Sequence, residues 1–171
     1  KFVIVSRPND WTKSIRNSTH DTTELSDTKL MQLEFWQQLR DYSITKKSPL
    51  KLRKPFAQHW SDIAIGRSDC HVALTLLTTE DQIGCELYIP NSKSLFSSLY
   101  SNKEEIEKLL GLDNLSWQEL PGKKASRIRA FYKFAFNGGA REEAYDWLLQ
   151  TAEKFKTVFS KKWVDINQHE Q

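Results

Sequence analysis

The stretch DIAIGRSDCHVALTLLTTEDQIGCELYI, from Asp62 to Ile89, decides the fold of this chain. It divides into three apolar segments, residues 62–66, 70–78 and 81–89, joined by RSD and TTE. Links this short close antiparallel hairpins, whereas a parallel crossover needs about a dozen residues. The three segments therefore read as a meander. In the middle one, Cys70, Val72, Leu74 and Leu76 alternate with His71, Ala73 and Thr75, so one face is apolar and the other only partly polar. Such a sheet needs a cover on one side.

The flanking sequence supplies it. Upstream, Ser26 can cap a helix in which Leu30, Leu33, Trp36 and Leu39 recur at helical spacing, with Phe35 and Tyr42 widening the stripe. Pro49 and Pro55 forbid its continuation. Downstream, Pro90 closes the third strand, and Asn91 or Ser92 caps a helix carrying Leu95, Phe96, Leu99 and Tyr100. Asn102 and Glu105 have capping-box spacing for a further helix with Ile106, Leu109 and Leu110, closed by Gly111. LSWQEL, PGKK and SRIRAFYKF read as strand, turn and strand. From Arg141, Tyr145, Leu148, Ala152, Phe155 and Phe159 make one helical stripe. The expected fold is α+β, a mainly antiparallel sheet of about five strands (the meander plus a hairpin) packed by three or more helices. Residues 26–165 are expected to form this domain. Residues 1–25, with a strand at Phe2 to Val5 and a polar bridge, are expected to be the seam to a missing upstream domain.

Bulk properties exclude more than they identify. The 171 residues include six tryptophans, five tyrosines and nine phenylalanines, which argues against disorder. Apolar runs stop after a handful of residues, so no membrane-spanning helix is expected. Cys70 and Cys85 are the only cysteines, too few for a disulfide framework or a thiolate zinc site, and a reduced, cytoplasmic setting is expected. They fall on neighbouring segments, where they could in principle pair. A net charge of +3 names no partner by its size, so its distribution has to be read.

Catalytic signatures are sparse. His20, His59, His71 and His169 fall at no metal-ligand spacing, and no metal is expected. The glycines build no nucleophile elbow, dinucleotide turn or phosphate loop, so no cofactor is expected. Asp62 and Glu86 lie on the first and third meander strands, as do the metal-holding carboxylates of restriction-nuclease-like cores. The triplet there is Glu86, Leu87, Tyr88, without the lysine such cores use. A salt-bridged or edge pair is the simpler reading, and a divergent metal-dependent nuclease-like domain is the alternative.

Basic residues carry the remaining signal. Lys46, Lys47, Lys51, Arg53 and Lys54 form one cluster, and Lys123, Lys124, Arg127, Arg129 and Lys133 another. In the second, Arg127, Arg129 and Lys133 share one strand parity while Ile128, Ala130 and Tyr132 take the other. The charged parity reads either as a solvated sheet face or as a surface that tracks phosphates. His59 and Trp60 would stand at its rim, with Trp60 half-buried against the sheet.

Several blocks together resemble one known family: LEFWQQLRDY, SPLKLRKPFAQHWSDIAIGRS, IGCELYI, SLYSNKEEIEKLLG, SWQELPGKKASRIRAFY and DWLLQTAEKFKTVF. They are similar to the prokaryotic family catalogued as domain of unknown function 4268, from roughly Leu30 to Phe159. The family resembles a C-terminal companion of restriction-endonuclease-like domains, which implies an upstream nuclease-like domain in the same polypeptide and a link to DNA. It brings no established catalytic residues. Arg53, Lys54, His59, Trp60, Asp62 and Arg67 fall in one matching block, and Glu119, Lys123, Lys124 and Arg127 in another. The expectation is a non-catalytic accessory domain that binds nucleic-acid backbone through Lys123, Lys124, Arg127 and Arg129, joined by Arg53, Lys54 and Arg67. A structural or protein-interaction module, with self-association into a homo-oligomer, is the alternative.

Overall fold

The structure is a computed structural model that describes residues 25–160. The expected strand at Phe2 to Val5 and its linker lie outside the described residues. In chain order the elements are α1 (Asp27–Thr45), β1 (Trp60–Ile63), β2 (His71–Leu77), β3 (Gln82–Ile89), α2 (Lys93–Ser101), α3 (Lys103–Leu110), β4 (Ser116–Gln118), β5 (Ser126–Lys133) and α4 (Arg141–Phe159). The five strands form one sheet in the order β1-β2-β3-β5-β4, with every pairing antiparallel. This is the α+β fold expected, a meander extended by a hairpin and packed by helices.

Parity sorts the sheet into two faces. Val72, Leu74 and Leu76 on β2, Ile83, Cys85, Leu87 and Ile89 on β3, and Ile128 and Ala130 on β5 join the hydrophobic core. Against them pack Leu95, Phe96 and Leu99 of α2, Ile106 and Leu110 of α3, and the whole expected stripe of α4. Each apolar side chain fully buried there contributes on the order of 1.5–3 kcal/mol. Phe35 of α1 anchors an aromatic group, its ring centroid 5.9 Å from Phe134 and 5.2 Å from Tyr145. Ser26 caps α1 as its sequence suggests, Oγ accepting from the Lys29 amide at 3.3 Å.

Three local expectations are corrected. The first meander strand spans Trp60–Ile63 rather than 62–66, because Trp60 already pairs with Thr75, and Gly66 at φ +80° turns the chain out of extended geometry. The capping box at Asn102 does not form. Asn102 also terminates α2, and its Nδ2 donates to the Ser98 carbonyl at 2.9 Å instead of accepting from the next helix. Leu109, named with Ile106 and Leu110 as an apolar residue of that helix, is exposed while the other two are buried. The cysteines are both free and buried, and Cys85 stands opposite Leu74 rather than near Cys70, which precedes β2. Burial pushes both thiols up, Cys70 to about 12, so neither is a reactive thiolate.

Candidate functional site

The other sheet parity builds the site. The register aligns Trp60, Thr75, Gly84 and Phe131 in one row across four strands. The next outward row is Asp62, Ala73, Glu86, Arg129 and Ser116, and the one after it is His71, Tyr88, Arg127 and Gln118. Apart from Gly84, Phe131, Ser116 and Gln118, the members of these rows line a cavity of about 560 Å³, together with His59 and Leu77. A smaller hollow of about 260 Å³, lined by Arg53, Lys54 and Phe56, shares Trp60 and Asp62 with it.

Charge pairing follows the rows. Arg129 Nε lies 2.8 Å from Glu86 Oε2, and both side chains are nearly buried, at 9% and 6% residue exposure. The N–H does not point straight at that oxygen, so the contact is an ion pair without a well-directed hydrogen bond. Loss of solvent pushes the Glu86 carboxyl above its ordinary value, with Arg129 and Arg127 pulling the other way. The same loss of solvent lowers Arg129, with Glu86 opposing. The guanidinium also stacks on Phe131, Cζ standing 4.7 Å from the ring centroid. Asp62 lies 3.3 Å from His71 Nε2 and 3.9 Å from Arg53.

Arg127 is held differently. Its Nε donates to the Gln118 carboxamide oxygen at 2.6 Å, an uncharged partner, and among the described residues no acid forms a salt bridge with it. Lys123 and Lys124 stand exposed on the β4–β5 connection. That connection leaves the sheet at the Arg127 end, as does the β1–β2 connection carrying Arg67. Arg67 is engaged by Asp69 through two hydrogen bonds of 2.8 and 2.6 Å, which hold the Asp69 carboxyl below its usual range. Arg53 and Lys54 are exposed beside the smaller hollow.

The structure thus gathers Arg127, Arg129, Asp62, Glu86, His59 and Trp60 around one cavity and sets Arg53, Lys54, Lys123 and Lys124 outside its floor. Trp60 is 39% exposed, close to the half-burial expected. Two participants escaped the sequence reading. Tyr88 lines the cavity, its ring 5.4 Å from His71, and its parity with Glu86 was the available signal. Lys93 has no signal at all. From the start of α2 its ammonium donates to the carbonyls of Glu119 and Ala125 and to Ser126 Oγ, the latter two at 2.9 and 3.1 Å, clamping the connection that presents Lys123 and Lys124.

Among the described residues, no three His, Cys, Asp or Glu side chains come together to hold a metal ion. No helix of the described residues is long and apolar enough to cross a membrane. The class defined is an α+β domain with one helix-covered sheet face and one cavity-bearing face of mixed charge. Residues 31–162 match the family described as Domain of unknown function (DUF4268), and the chain belongs to that family. No curated protein and no solved structure is significantly similar to it.

Proposed function

We propose that this domain is a non-catalytic module that binds nucleic-acid backbone with the outward face of its sheet and the cations around it. The observation that carries the reading is Arg127, seated at the cavity on a neutral carboxamide, with the exposed Lys123 and Lys124 on the adjoining connection. Backbone recognition needs several cations that are not already neutralised by acids, and little else. Lys54 extends the positive rim on the β1 side, with Arg53 beside it standing 3.9 Å from Asp62. Arg129 has a different role in this reading, since Glu86 claims it, and Arg67 is tied to Asp69. Asp62 and Glu86 each face a cationic or histidine partner, and Tyr88 stands where a nuclease core would place its lysine. In a longer polypeptide such a module would hold substrate for a linked nuclease-like domain.

The test is a fluorescence-anisotropy titration of short DNA with the wild type and K123E/K124E/R127E, repeated over a range of salt. Wild-type affinity should fall with a log–log slope near the number of phosphates contacted, and the variant should lose most binding at low salt. Equal binding by both proteins, or none by either, would contradict the proposal and favour a protein-interaction module.

A further inference from the structure

The cavity has a polarity that backbone binding alone does not use. Its floor carries two carboxylates, Glu86 and Asp62, beside Arg129, with Arg127 in the next row and Lys123 and Lys124 outside it. Glu86 in particular would repel a phosphate brought to the floor, whereas an amino or imino N–H would find an acceptor there. Because the Glu86–Arg129 contact is poorly directed, the carboxylate and the guanidinium both retain hydrogen-bonding capacity although nearly buried. Thr75 Oγ1, also buried, finds no hydrogen-bond partner among the described residues. Gly84 leaves room for that hydroxyl, since a Cβ there would stand 2.5 Å from it. Orphaned buried polar groups of this kind are uncommon in folded proteins and call for a specific explanation.

The wall offers a complementary surface. The Trp60 ring, edge-on to His59 at 4.7 Å, is exposed beside the cavity. A volume of about 560 Å³ falls within the usual range for small-molecule sites.

We infer that the cavity receives an unpaired nucleobase of a single strand, stacked near Trp60 with its N–H edge toward Glu86, while the flanking phosphate reaches Arg127. This deepens the backbone-binding reading and rests on it. A continuous duplex cannot occupy the floor, because its bases are stacked and its phosphates lead. The site therefore favours single strands over duplexes and base-bearing over abasic strands.

The experiment compares four fluorescent ligands of equal length: single-stranded DNA, the same strand with abasic sites, duplex DNA, and RNA of the same sequence. Stacking contributes enough that the base-bearing DNA strand should bind roughly five- to 150-fold tighter than the abasic one. Trp60→Ala should erase most of that difference, and Glu86→Gln should reduce it. Circular dichroism of both variants confirms that they are folded. Tighter binding of the RNA strand than of its DNA counterpart would still support the inference and identify the sugar preferred. Equal affinity for base-bearing, abasic and duplex DNA, all lost in K123E/K124E/R127E, would overturn the base pocket and leave backbone binding intact. Failure of every ligand to bind would overturn both.

Discussion

The same strands present two faces that obey different rules. On the inner face, Val72, Leu74, Cys85, Leu87 and Ile128 are fully buried in one hydrophobic core. One residue away along each strand, the outer face places His71, Thr75, Glu86, Tyr88, Arg127 and Arg129 around a cavity. The inner face is arranged for stability alone. The outer face keeps a nearly buried ion pair and an orphaned hydroxyl, features that a fold optimised only for stability would replace. Side chains that work against stability are where function is expected.

That contrast can be broken from the inside first. Phe155 is fully buried at the centre of the α4 stripe, and Phe155→Ala should lower unfolding free energy by about 3–5 kcal/mol, read from a urea midpoint at constant m-value. A negligible change would mean that the inner face is not the stabilising one.

The outer face should respond in the opposite sense. Replacing Glu86 and Arg129 together by Leu and Met keeps volume and removes two desolvated charges, so stability should hold or rise by about 1–4 kcal/mol while oligonucleotide affinity falls. A large loss of stability from the double replacement would make the pair structural.

Lys93 ties the start of α2 to the β4–β5 connection. Hydrogen bonds from a charged donor contribute roughly 1.5–3 kcal/mol, and Lys93→Met should cost about that much. Limited proteolysis should then cut the 119–125 connection faster than in the wild type. An unchanged digestion pattern would show that Lys93 does not hold the connection in place.

The smallest effect is a pH dependence. Glu86 has its pKa raised in the fold, mainly by desolvation, so its contribution to stability is fully present below the ordinary carboxylate value of 4.5 and is lost as pH rises through the folded value. Glu86→Gln removes that titration. Its stability relative to wild type should be more favourable at neutral pH than at pH 4, and thermal melts at both values would show it. An offset that does not change with pH would contradict the assigned direction.

Much of the fold could be read from the sequence because it rests on local signals. RSD and TTE forced hairpins, Ser26 capped its helix, and the Tyr145 to Phe159 stripe kept its period. What escaped depended on partners distant in sequence. Trp60 extends β1 because it meets Thr75, which no property of the QHW segment announces. Asn102 looked like a cap until α2, ending on the same residue, took its side chain. The candidate site divided in the same way. Parity put Arg127 and Arg129 on one outward face, but only the β3–β5 register reveals that Arg129 faces Glu86 while Arg127 faces Tyr88. The nuclease comparison drew attention to Glu86 without finding its actual neighbour. Lys93 reaches carbonyls 26 to 32 residues away, beyond any pattern a sequence displays.

The most direct measurement is a backbone and indole ¹H–¹⁵N spectrum of the labelled protein titrated with a short single-stranded oligonucleotide. If the outer face is the binding surface, the Trp60 indole and the amides of Gly84, Glu86, Tyr88 and Arg127 should shift together and saturate with one affinity, while the outer turns of α4 stay fixed. Shifts confined to the helix-covered side, or a spectrum unchanged at saturating oligonucleotide and low salt, would contradict the account.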